Sequence, residues 1–117
     1  GKQVRDILHI DDLSQLVLIE SKILPELNGK TFNVGGGRQV SLSLLETTSI
    51  CEEITGNNVK ITPVKENRPA DIPIYISDNK KVISATGWSP QKNAKNIMEN
   101  IFEWISDNEH IIKQTLM

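Results

Sequence analysis

One cysteine, Cys51, in a chain of 117 residues excludes an intramolecular disulfide and any multi-cysteine metal site. No HExxH pair, EF-hand loop or cluster of histidine and cysteine occurs, so a metal role has no support in the sequence. No apolar run approaches the ~18 residues of a membrane-spanning helix. No signal-peptide pattern opens the chain, whose first residue is Gly1. Basic charge is also in short supply: 13 Lys and Arg against 15 Asp and Glu give a net charge of −2, which argues against a dedicated nucleic-acid binder.

Two catalytic signatures are missing as well. A dinucleotide fingerprint needs three glycines spaced for a tight turn, a close pyrophosphate and helix packing. Gly35-Gly36-Gly37 lacks that spacing, and the next helix is expected only from about Ser43. A tight turn is the better reading of those glycines, and no P-loop lysine follows them. The only tyrosine, Tyr75, has Asn79 four residues later, so no Tyr-x-x-x-Lys pair exists. His9 and His110 have no motif around them, and Cys51 reads as a packed thiol. No catalytic residue is assigned.

What is present is a globular composition, 38% hydrophobic and 24% charged, in a chain long enough for one domain. Residues 4–10 read as a strand, and Asp11 or Asp12 as the cap of a helix over 13–24. Residues 31–34 read as a short buried strand ending in the glycines. Ser43 and Glu46 form a capping box for a helix to about Thr55, stopped by Gly56. Residues 59–64 and 74–76 read as strands. Asp78 is expected to cap a short helix to Ala85, and a final helix carries Ile97, Met98, Ile101, Trp104, Ile105 and Ile112. Trp88 and Trp104 are expected to be packing anchors. Mixed short strands and about four helices give an α/β class.

One group of residues suits ligand binding. Arg68-Pro69-Ala70-Asp71 is followed by Tyr75 and Asp78, with Arg5 at a strand start. Arginine presents a permanently charged planar fork that matches diphosphate oxygens. Asp71 and Tyr75 offer acceptors for ribose or sugar hydroxyls. Spacing alone favours the plainer reading, in which these are loop-pinning charge pairs.

The segment Gln3-Val4-Arg5-Asp6-Ile7-Leu8-His9-Ile10-Asp11-Asp12 resembles a strand–helix signature of the extended short-chain dehydrogenase/reductase family. Phe32-Asn33-Val34-Gly35, Arg68-x-x-Asp71-x-x-x-Tyr75-x-x-Asp78 and Gly87-Trp88-Ser89-Pro90 resemble further stations of that family, in its order. The opening segment, with Ser41 to Glu46, most resembles the CDP-paratose 2-epimerase subfamily. UDP-glucose 4-epimerases and sugar-nucleotide 4,6-dehydratases are the alternatives, and Ile7 departs from the aromatic that 4-epimerases often carry.

The resemblance implies that Arg5 and Arg68 grip a substrate diphosphate, that Asp71 holds the nucleotide ribose, and that Tyr75 lies near the sugar or nucleotide. It implies a nucleotide-sugar substrate, a CDP-sugar by preference, and an NAD-dependent parent enzyme; a lone cysteine fits a reducing, cytoplasmic setting, and a homo-oligomer is expected. It also implies that 1–117 is a single C-terminal portion, with the N-terminal Rossmann domain that holds NAD lying outside it. On its own the chain is then expected to be inactive. A self-contained, non-catalytic binding module is the competing view.

Overall fold

The computed structural model describes residues 1–62 and 71–116. Three short strands form one sheet in the order β2-β1-β3: β1 is Val4–Asp6, β2 is Ser41–Ser43 and β3 is Ile74–Tyr75. β1 pairs antiparallel with β2, Val4 opposite Ser43 and Asp6 opposite Ser41. It pairs parallel with β3, Val4 opposite Ile74 and Arg5 opposite Tyr75.

Among the described residues six α-helices surround this sheet: α1 Ile10–Lys22, α2 Leu24–Leu27, α3 Leu44–Thr55, α4 Lys80–Thr86, α5 Ala94–Asp107 and α6 Glu109–Leu116. The expected α/β class is observed. The final helix is two, because the chain breaks at Asn108, whose amide still bonds back to the Trp104 carbonyl. α2 is an extra turn, opened by Pro25 in its first positions, where a missing N–H costs nothing. The strand expected over 31–34 is absent, as is any strand over 59–62; residues 63 and 64 lie outside the described part. Phe32 and Val34 instead pack on the core from an irregular segment, with Lys81 donating from Nζ to the Thr31 carbonyl at 2.8 Å.

Local chemistry explains the helix ends. α1 is capped by His9, whose Nδ1 accepts from the Asp11 amide at 3.0 Å, and not by an aspartate. The Ser43–Glu46 capping box is complete in both directions. Gly56 and Gly87 stop α3 and α4 in the left-handed region, at φ 69° and 72°.

The core is small. Leu16, Val82 and Trp88 form its centre, with Leu8 and Ile19 packed beside them. On α1 only Leu16 of the apolar residues is buried, whereas Leu13 is 37% and Val17 55% exposed. Trp104, expected to anchor packing, is 62% exposed: the stripe that starts at buried Ile97 loses its cover further along α5, where Ile101 is 48% exposed.

Candidate nucleotide-sugar site

The site begins with the sheet. The Val4 amide donates to the Pro73 carbonyl at 2.9 Å, so 71–75 lies alongside β1. This brings Arg5, Asp71 and Tyr75 together across almost 70 positions of sequence. Arg5 Nη2 lies 3.5 Å from Asp71 Oδ1, with the two side chains 42% and 27% exposed. Arg5 Nη1 donates to the Val4 carbonyl at 2.7 Å, which fixes one edge of the guanidinium. Gln3 Nε2 donates to Asp71 Oδ2. Tyr75, opposite Arg5 in the parallel ladder, is 54% exposed. Of the four residues expected at the site, three thus meet, and Arg68 lies outside the described residues. Sequence reasoning does not single out Gln3; its one signal is its place two residues before Arg5, on the same side of an extended segment.

Asp71 is already engaged by Gln3 and Arg5. A carboxylate has about four acceptor positions, so a hydroxyl of a ligand can still be received. The arrangement offers a cation with N–H groups that take no partner among the described residues beyond Asp71 and the Val4 carbonyl, a held carboxylate and a phenol on one sheet surface. That set suits binding of an anionic, hydroxyl-rich ligand, and among the described residues it contains no nucleophile–base pair.

The glycine segment behaves as a turn. The Gly35 amide donates to Asn79 Oδ1 at 3.1 Å, and Asn79 Nδ2 returns a bond to the Gly35 carbonyl at 2.7 Å. The Gly37 amide donates to Asp6 Oδ2 at 2.9 Å. A Cβ on Gly36 would meet the Ile7 carbonyl oxygen at 1.9 Å. Two of the three amides are therefore spent inside the fold, and these residues do not fit a dinucleotide pyrophosphate. Beside them an open depression of about 730 Å³ is lined by Gly36, Arg38, Ile76, Asn79, Lys80 and Pro90, among others. Arg5, Asp71 and Tyr75 do not line it. The Arg5 group is the better candidate, because its polar groups converge whereas Arg38 and Lys80 are exposed surface cations. No group of three or more His, Cys, Asp or Glu able to hold a metal occurs among the described residues, and no described helix is long and apolar enough to cross a membrane.

The fold matches solved epimerases. UDP-glucose 4-epimerase from Stenotrophomonas maltophila, solved with NAD and formylated UDP-arabinopyranose, superimposes with a TM-score of 0.74 at 24% identity, over 95% of this chain and 32% of that one. UDP-glucose 4-epimerase from Thermotoga maritima, solved with UDP-glucose, gives 0.73 at 25% identity, over 93% and 33%. The chain has the fold of the C-terminal portion of extended short-chain dehydrogenase/reductase epimerases. In sequence it is similar to CDP-paratose 2-epimerase of Salmonella typhi, 35% identical over 108 residues, or 91% of this chain and 31% of that protein. It thus spans about a third of the length of the relatives it matches. No family model matches it.

Proposed function

We propose that this chain is the substrate-holding portion of an NAD-dependent nucleotide-sugar epimerase, with a CDP-sugar as substrate. Arg5 and Arg68 take the diphosphate, Asp71 the ribose, and Tyr75 the sugar or nucleotide end. The observation that carries this reading is the meeting of Arg5, Asp71 and Tyr75 on one open surface of β1 and β3. The 35% identity with a CDP-sugar enzyme favours cytidine over uridine. NAD belongs to the reading through the relatives; the glycine turn of this chain does not suit it, so a Rossmann domain N-terminal to Gly1 would carry it.

The surface of the chain supports a missing companion over a self-contained module. A compact monomer of 13.1 kDa exposes about 6,400 Å², whereas this chain exposes 9194 Å². Its radius of gyration is 17.4 Å, where a compact domain of this length has about 13 Å. The outward leucine and valine of α1 would pack on that domain. A cytoplasmic homo-oligomer is the setting we infer, consistent with a lone half-buried thiol and no described membrane helix. Titration of the full-length polypeptide with CDP by calorimetry tests the site. Binding that is lost in Arg5→Ala and weakened in Tyr75→Phe supports it; binding unchanged by both variants refutes it.

A further inference from the structure

We infer that Gln3 is a positioning residue, which holds Asp71 so that the Arg5 guanidinium stays available to a diphosphate. This rests on the reading of Arg5 given above. Gln3 and Arg5 are two residues apart on an extended segment, so their side chains leave the same face. Both reach Asp71: Gln3 Nε2 donates to Oδ2, and Arg5 Nη2 stands 3.5 Å from Oδ1. The carboxylate is therefore shared, one oxygen to each partner.

The sharing has a chemical consequence. A carboxylate beside an arginine tends to turn and take two parallel N–H groups at once, the same fork that would otherwise receive phosphate oxygens. With Oδ2 tied to Gln3, Asp71 meets Arg5 through a single oxygen and at a long distance. Arg5 is anchored from behind by its own bond to the Val4 carbonyl. The Arg5 side chain itself is still 42% exposed, which leaves the rest of its fork within reach of a ligand. Without the Gln3 amide, Asp71 would close on Arg5 and compete with the ligand. Gln3 itself need touch no ligand.

A cycle of variants in the full-length polypeptide tests this, with CDP as the probe and CMP, which lacks the second phosphate, as its control. Gln3→Ala is expected to weaken CDP binding by about tenfold and CMP binding much less. Gln3→Glu, equal in size but without the donor, is expected to do the same and covers the case that the alanine variant folds poorly. Asp71→Asn added to Gln3→Ala removes the competing charge. The double variant is then expected to bind CDP no more weakly than Asp71→Asn alone. CDP binding within twofold of wild type in both Gln3 variants, or losses that multiply in the double variant, would overturn the proposal. The Arg5 Nε–Hε signal by ¹⁵N NMR gives an arm independent of ligand. It is expected to shift in Gln3→Ala, and an unmoved signal also overturns the proposal. Failure of the wild type to bind CDP, with that signal still shifting, would instead sink the substrate reading and leave the Gln3–Asp71–Arg5 relay standing.

Discussion

The indole Nε1 of Trp88 donates to the backbone carbonyl of Asp12 at 2.8 Å, across 76 positions of sequence. The carboxylate of the same Asp12 accepts from the Lys92 amide at 3.1 Å. Both residues are buried, at 3% and 1% exposure. Together they tie the loop after α4 to the first turn of α1.

Removing either partner should therefore destabilise the fold by an amount set by what is left unpaired. Trp88→Phe keeps most of the apolar volume but removes the donor, and is expected to cost about 1–3 kcal/mol. Trp88→Ala adds a cavity and is expected to cost about 3–5 kcal/mol. Asp12→Ala strands the Lys92 amide and should cost about 1–3 kcal/mol. Urea denaturation of the full-length polypeptide measures all three, and equal midpoints for wild type and Trp88→Phe would refute the role of the indole bond.

Two glycines separate steric need from backbone need. Gly36→Ala would drive a methyl into the Ile7 carbonyl at 1.9 Å, which only backbone movement can relieve. Gly56 has φ +69°, and no atom of the described residues lies within 4 Å of the place its alanine methyl would occupy. Gly56→Ala should therefore cost only the left-handed penalty of about 1–2 kcal/mol. The expected ranking in thermal melts is a mild loss for Gly56→Ala and a severe one for Gly36→Ala. The reverse ranking would contradict the close approach of the glycine turn to β1.

The capping box on α3 predicts a pH dependence. Hydrogen bonds from the Ser43 hydroxyl and amide hold the Glu46 carboxyl below its ordinary value of 4.5. A carboxyl depressed in the folded state adds stability that is fully present above its unfolded value and is lost as pH falls through the folded one. Helix content measured by circular dichroism should thus fall on acidification below about 4.5, and Glu46→Gln should remove the part of that fall that belongs to α3. Ser43→Ala should cost about 1 kcal/mol at neutral pH. An acid response identical in wild type and Glu46→Gln would exclude the cap as its source.

Elements with a local cause are legible in the sequence, and those with a distant cause are not. The capping box, Gly56 and Gly87 follow from neighbours within a few residues, and Trp88 is legible as an anchor from its residue type. β2 escapes a sequence reading because Ser41–Ser43 resembles the approach to a cap and becomes a strand only through Val4 and Asp6. Residues 31–34 have the apolar alternation of a strand, yet no ladder partner among the described residues. Trp104 has the spacing of a core residue, but periodicity says which residues share a face and not what that face meets. At the site, Arg5, Asp71 and Tyr75 are legible from residue type and family resemblance. Gln3 is not, since its role depends on where Asp71 lands after 68 residues of chain.

The exposed apolar surface predicts how the chain behaves alone. Val17 and Leu24 on one side, and Ile101 and Trp104 on another, are each about half exposed or more. Patches of this kind mark surfaces that associate, so the isolated 117-residue chain should self-associate. Light scattering at rising concentration checks this, and a monodisperse 13.1 kDa species at high concentration would count against it.

The central claim is that Arg5 and its neighbours hold a CDP-sugar for an epimerase, and turnover tests it most directly. The full-length polypeptide, supplied with NAD and CDP-paratose, should interconvert CDP-paratose and its C2 epimer with no net consumption of NAD, followed by NMR of the sugar protons. Arg5→Ala should raise the KM for that substrate by about tenfold or more. Absence of turnover with CDP-paratose, while UDP-glucose or dTDP-glucose is converted, would contradict the assignment of the substrate; no turnover of any nucleotide-sugar would contradict the account itself.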